Sequence, residues 1–129
     1  MVVHSSALVA IVLGEPEAEE FLAKVQRSFA LLSAANLVEA ALVVESRQGP
    51  DAARDLGLLV DGAIDEVVPV DRDLGEAAVA AWRRFGRGRH PAGLNFGDCF
   101  SYALARLRSA PLLFKGNDFS QTDIADASD

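Results

Sequence analysis

The chain has 129 residues, half of them hydrophobic, with one cysteine and a formal net charge of −7. That length and apolar content fit one domain with a real core and exclude a disordered chain, while the apolar runs are too short and too interrupted to span a membrane. The acidity excludes a protein that grips nucleic acid with its whole surface, and the lone Cys99 excludes an internal disulfide, as suits a reducing cytoplasm. Met1-Val2-Val3-His4 carries no basic n-region and no small-residue cleavage site, so a cytoplasmic rather than secreted protein is expected.

Val2-Val3 reads as a short buried strand. Ser5-Ser6 is expected to cap a helix over Ala7 to Leu13, which Gly14 ends. Pro16 opens a second helix, with Glu15, Glu17, Glu19 and Glu20 near its positive end and Phe21, Leu22 and Val25 on one face. Phe29 to Leu32 reads as the next strand. Ser33 then caps a long helix, Ala34 to Gln48, closed by Gly49-Pro50, and Asp51 to Val60 makes another. Val67 to Val70 is a third strand, with Pro69 marking an edge or a strand end. Asp71 starts the helix that carries Trp82 and ends near Gly86. After a loop rich in Gly, Arg and Pro, Asn95 caps a helix over Phe96 to Arg108. Leu112-Leu113-Phe114 is the last strand, and the polar, acidic tail begins at Asn117.

Short apolar strands alternating with helices predict an α/β fold with a parallel sheet covered on both faces. Sites in such sheets form outside the carboxyl ends of the strands. His4 follows the first strand there, and Asp118 follows the last. Glu39 lies on a helix that is apolar almost all round, where an unpaired charge costs several kcal/mol (an order-of-magnitude figure) unless something compensates it. Asp98 lies in the first turn of its helix. Each has a plainer reading: a capping box with Asn95 for Asp98, a turn for Asp118, a satisfied core histidine for His4. Together they fit one cause, since converging carboxylates repel unless a divalent cation neutralises them, and oxygen ligands suit Mg²⁺ or Mn²⁺.

Arg83, Arg84, Arg87 and Arg89 form a basic strip beside His90 on this acidic chain. On charge alone it reads as a solvated helix end. Trp82, Phe85, Phe96, Phe100 and Tyr102 read as packing residues rather than a base-stacking platform, and Cys99 as a small buried residue rather than a nucleophile.

The stretches Met1-Val2-Val3-His4-Ser5-Ser6-Ala7-Leu8, Ser33-Ala34-Ala35-Asn36-Leu37-Val38-Glu39, His90-Pro91-Ala92-Gly93-Leu94-Asn95-Phe96-Gly97-Asp98-Cys99 and Leu112-Leu113-Phe114-Lys115-Gly116-Asn117-Asp118-Phe119 carry a resemblance. The chain resembles the VapC toxins, the PIN-domain half of bacterial toxin–antitoxin pairs, along essentially its whole length. The resemblance implies a PIN-like three-layer fold, a short parallel sheet flanked by helices. It implies a single domain over residues 1–129, with a short polar tail from about residue 120. It implies a metal-dependent endoribonuclease that hydrolyses RNA phosphodiesters with Mg²⁺ or Mn²⁺. Glu39, Asp98 and Asp118 match the family's catalytic and metal-binding acids, Asp123 is a weaker metal candidate, and Ser6 matches a supporting hydroxyl. At position 4 the family pattern has aspartate and this chain has His4, which implies impaired metal binding and cleavage, with Mn²⁺ tolerated better than Mg²⁺.

The implied partners are RNA, a small antitoxin and a second copy of the chain, in a larger toxin–antitoxin assembly and with no membrane. In that setting Arg83, Arg84, Arg87 and Arg89 gain a role in contacting RNA or antitoxin. Leu8, Val12, Leu37, Val38 and Ala41 offer an antitoxin groove, although most of them suit the core equally well. The rival reading is an inactive PIN-domain protein that keeps antitoxin binding. A phosphoacceptor domain would want paired acids where the first strand ends in His4, and Gly86-Arg87-Gly88-Arg89 is no dinucleotide fingerprint.

Overall fold

Residues 1–128 are described by the computed structural model. The strands β1 (Val2–Val3), β2 (Leu31–Ser33), β3 (Glu66–Val68) and β4 (Leu112–Leu113) form one parallel sheet in the order β3-β2-β1-β4. Val2 stands opposite both Leu31 and Leu112, and Val3 opposite Leu113. Successive side chains of a strand point to opposite faces, and the core divides accordingly. Val2, Leu31 and Leu112 pack toward α5 (Arg72–Phe85) and α6 (Phe96–Leu107). Val3, Leu32 and Leu113 pack toward α1 (Ser5–Leu13), α2 (Ala18–Gln26), α3 (Ala34–Gln48) and α4 (Pro50–Ala63). All six side chains are nearly inaccessible. Continuous apolar dipeptides therefore suffice as strands, because both faces are covered.

Most boundaries agree with the sequence reading, and the differences have local causes. Helix α1 begins at Ser5, and its cap is His4 rather than a serine: the imidazole Nδ1 accepts the Ser6 backbone N–H at 3.1 Å. Helix α2 begins at Ala18, two residues past Pro16, with the prolyl turn left outside it. Strand β2 starts at Leu31, and Phe29, expected within it, is 65% exposed. Helix α4 is longer than expected, starting at Pro50 in the first-turn position that proline tolerates. Edge strand β3 ends just before Pro69, where a missing N–H costs no ladder bond. The tail from residue 120 is polar but tied down. Leu112 N donates to Ala125 O and Ala127 N to Leu112 O, both at 2.9 Å, while Phe119 is 2% exposed.

Helix α3 corrects a larger expectation. It is not buried all round: Asn36, Ala40 and Val44 face the core, whereas Val38 and Leu42 are 57% and 67% exposed. Two aromatics assigned to packing are likewise open, Trp82 at 43% and Phe96 at 81%. Phe85, Phe100 and Tyr102 are buried as expected.

The turn from α5 into the arginine loop depends on Gly86. A Cβ there would lie 2.4 Å from both the Trp82 carbonyl oxygen and its ring Cδ1. The carbonyl is backbone and cannot swing away. Gly86→Ala should destabilise the fold by about 1–3 kcal/mol, the usual cost of overpacking. A chemical denaturation midpoint unchanged from the parent would show that the turn has more room than this.

Candidate active site at the β1–β4 switch point

From β1 the chain winds to β2 and β3 on one side, while β4 lies on the other side of β1. The carboxyl ends of β1 and β4 therefore flank the topological switch point, where a parallel sheet leaves a crevice. His4 N donates to Leu113 O at 2.9 Å, fixing the two strand ends together. Past β4, Lys115 N donates to the Ser6 hydroxyl at 2.9 Å. Helix α6 packs across the sheet and brings its N-terminus to the same place.

Asp98 serves that N-terminus and the crevice at once. Its Oδ2 accepts the Asn95 backbone N–H at 3.1 Å, while Asn95 Oδ1 accepts the Asp98 N–H at 2.8 Å, a complete capping box. Its Oδ1 lies 2.9 Å from His4 Nε2. The capping reading and the site reading of Asp98 both hold, one per oxygen.

His4 is used at both ring nitrogens. Nδ1 accepts from Ser6 N, and Ser6 Oγ lies 2.8 Å from it. A nitrogen that accepts a backbone N–H carries no proton itself, so the ring proton sits on Nε2 and is donated to Asp98. The Ser6 hydroxyl, which accepts from Lys115 N, is free to donate to Nδ1. The edge of Phe119 closes the ring in, with centroids 5.1 Å apart. His4 thus fills the cap position of α1 with one nitrogen and faces the acids with the other.

Asp118 completes the group on the open side. Partial burial raises its carboxyl above the ordinary aspartate range, the negative charge of Asp98 raises it further, and His4 and Arg87 pull the other way. Glu39 approaches from α3 and is half-buried. Its Oε1 accepts from the Ser5 hydroxyl and, at 3.3 Å, from Asn36 Nδ2. Ser5 Oγ lies 3.5 Å from His4 Nε2, so the four residues form one contiguous chain of contacts.

Two residues that the sequence reading passed over hold Glu39 in place. Asn36 is fully buried; its Nδ2 also donates to Gly97 O at 3.0 Å, and its Oδ1 accepts from Ser101 Oγ at 2.8 Å. The signal was available, since an amide three residues before an acid shares its helix face. Gly97 makes room: a Cβ there would stand 2.2 Å from Glu39 Oε2. Gly97→Ala should push the Glu39 carboxylate out of its seat. The atom displaced is the end of a flexible side chain, so the fold should tolerate it. Any catalysis carried by this group should fall about ten- to a hundredfold, as expected for a misplaced group, with little change in melting temperature. Parental kcat in that variant would count against a role for the Glu39 position.

Asp123, the weaker candidate, is not brought into this group. Its carboxylate accepts from Tyr102 OH at 2.5 Å and pairs with Arg84 at 3.0 Å and Arg106 at 3.5 Å. The Tyr102 hydrogen bond first, and the two arginines with it, hold its carboxyl below the ordinary range. The basic strip is correspondingly divided. Arg84 serves Asp123, and Arg89 lies over the Trp82 ring and donates to Arg83 O, so Arg87 is the strip residue whose charge reaches Asp118. Cys99 is no nucleophile here: burial, and after it the charge of Asp98, push its thiol up to about 11.

Among the described residues no three of His, Cys, Asp and Glu are gathered into a ready-made cation cage. The donor set nevertheless suits a divalent cation. The charge of Asp98 acts against that of Asp118, and a cation held by both would offset the repulsion.

The PIN domain profile matches residues 1–125 of the chain. The chain is 51% identical to ribonuclease VapC30 of Mycobacterium tuberculosis over 126 residues, 97% of this chain and 96% of that one. It is 49% identical to ribonuclease VapC of Mycolicibacterium smegmatis, over 97% of this chain and 98% of that one. Its fold superposes with a TM-score of 0.80 on the crystal structure of Mycobacterium tuberculosis VapC20, described as a toxin that cleaves the sarcin–ricin loop. That pair is 22% identical, over 96% of this chain and 95% of the other.

Proposed function

This chain belongs to the PIN-domain family of VapC ribonucleases, and from that premise we propose that Glu39, Asp98 and Asp118 are its catalytic acids, with Ser6 in support. It is the toxin of a toxin–antitoxin pair, an endoribonuclease that works with a divalent metal ion. The observation that carries the residue assignment is the contact of Asp98 with His4 at the β1–β4 switch point, where the charge of Asp98 also acts on Asp118. The whole chain acts as one PIN domain, tail included.

Asp98 and Asp118, with Glu39, would hold the cation, which when bound would supply a water nucleophile at neutral pH and neutralise charge that builds on the phosphate oxygens. Ser6 keeps the His4 ring oriented, and Asn36 keeps Glu39 aimed. Mg²⁺ is the cation we assign, with Mn²⁺ accepted. Because His4 Nε2–H occupies one oxygen of Asp98, cleavage with Mg²⁺ is impaired. Among the described residues no helix is long and apolar enough to cross a membrane; the cytoplasm is the location we assign.

The partners are RNA, a cognate small antitoxin, and a second copy of the chain. Val38 and Leu42 on α3 and Phe96 at the start of α6 line one surface groove with Gly97, and all three are well exposed. Exposed apolar ridges of this kind mark protein contacts, and a homodimer with a larger toxin–antitoxin assembly accounts for this one. Leu8 is core, and Val12, Leu37 and Ala41 pack against it, leaving Val38 as the groove residue that is exposed.

The test is cleavage of a mixed pool of structured RNAs by the partner-free chain with Mg²⁺, then with Mn²⁺. Cuts that disappear with EDTA are expected. Cutting that persists in EDTA, or none under either cation, would overturn the reading.

A further inference from the structure

A cleft of about 320 Å³ opens directly onto His4, Ser5, Ser6 and Glu39, and its remaining wall carries two cations, Arg47 and Lys115, beside Glu15 and the apolar Val9 and Val43. We propose that Arg47 and Lys115 bind an RNA backbone phosphate neighbouring the scissile one, in a cleft separate from the cavity that Arg87 lines. This rests on the ribonuclease reading and names the part of the substrate that the site receives.

Charge makes the case first. The chain carries −7 overall, and the cleft itself contains Glu15 and Glu39. A polyanion approaching the acids is repelled unless cations stand beside them. Arg47 lies in the last turn of α3, exposed, and among the described residues it has no ion-pair partner. Lys115 is fixed at its root, because its backbone N–H donates to Ser6 Oγ, which in turn touches His4. Its ammonium is paired with two glutamates, 3.3 Å from Glu15 and 3.4 Å from Glu17. A lysine anchored beside the reacting centre, on a flexible stem, is able to turn from these glutamates to a phosphate. The cleft has no aromatic platform among its lining residues other than the His4 ring, which Asp98 and Ser6 already hold. A phosphate therefore suits it better than a base. Lys115 and Arg47 are substrate-binding residues in this scheme, contacting the phosphate rather than the reacting atoms.

The experiment is fluorescence anisotropy of a labelled single-stranded RNA oligonucleotide, in EDTA to suppress cleavage, across a KCl series. Arg47→Gln, Lys115→Gln and the double variant are compared with the parent. Losing this phosphate contact should flatten the slope of log K against log salt by about 0.7 in the double variant, with each single variant lying between it and the parent. Kinetically, KM should rise while kcat is largely kept, as for lost uniform binding. Arg47→Lys and Lys115→Arg should keep the slope, and so should Arg54→Gln, an exposed change on α4. Arg47→Gln alone keeps the proposal testable if the lysine variants misfold. A parental slope and KM in the glutamine variants overturns it, as does weakening seen only toward the antitoxin. If the parent neither binds nor cuts RNA, the ribonuclease reading fails instead.

Discussion

Asp98→Asn should abolish metal-dependent cleavage, a loss on the order of a thousandfold or more, because several kcal/mol of transition-state charge stabilisation would go with the cation that we assign to this carboxylate. The fold should suffer far less. An asparagine oxygen can keep the bond to the Asn95 N–H or accept the His4 Nε2–H, but it cannot replace both carboxylate oxygens. Loss of either bond costs roughly 1 kcal/mol, the scale of a helix cap. A second readout separates a lost charge from a damaged fold. In the parent, the charge of Asp98 adds to partial burial in raising the Asp118 carboxyl. An acid raised in the folded state binds its proton more tightly there than when unfolded, so its contribution to stability is lost as pH rises through its titration. In Asp98→Asn that coupling disappears, and the Asp118 carboxyl should titrate closer to the ordinary aspartate range by NMR. Cleavage within a few-fold of the parent would remove Asp98 from the machinery, whatever the titration showed.

The sheet was readable from the sequence because each strand needed only two consecutive apolar residues between helices, and a doubly covered parallel sheet asks for nothing more. Asp98 was readable as an alternative between cap and ligand. That choice was not a real one, since a carboxylate has two oxygens and the fold uses one for each. His4 as the cap of α1 was not legible: imidazole is an uncommon cap, and the two serines beside it offered a more ordinary one. The exposure of Leu42 and Phe96 was hidden for a different reason. Hydrophobic spacing reports which residues avoid water, not whether their own chain or a second protein covers them. Asp123 looked like a further acid near the end of the chain. Only the fold shows that Tyr102, Arg84 and Arg106 already claim it. The same holds for Arg47, which lies far from Lys115 in sequence and shares a cleft with it in space.

His4→Asp should raise Mg²⁺-dependent cleavage by about ten- to a hundredfold, the scale on which groups beside a metal site act. The geometry makes the exchange feasible. One aspartate oxygen can accept the Ser6 N–H that Nδ1 now accepts, and aspartate is a strong cap. The other oxygen then faces Asp98 where Nε2–H now donates. A hydrogen bond that quiets Asp98 becomes a like-charge contact, and the cation site gains a hard oxygen ligand. Mg²⁺ favours that ligand over imidazole nitrogen, whereas Mn²⁺ accepts either, so the gain should be smaller with Mn²⁺. The same substitution predicts a change that needs no RNA. Without a cation, two carboxylates share a nearly buried contact and the variant should melt below the parent. Added Mg²⁺ should then raise its melting temperature more than the parent's, because a ligand bound only by the folded state stabilises in proportion to its affinity. Equal Mg²⁺ rates for the two proteins, together with equal Mg²⁺-induced melting shifts, would mean that His4 costs the enzyme nothing. In that case the cation is held by Asp98, Asp118 and Glu39 without help from position 4.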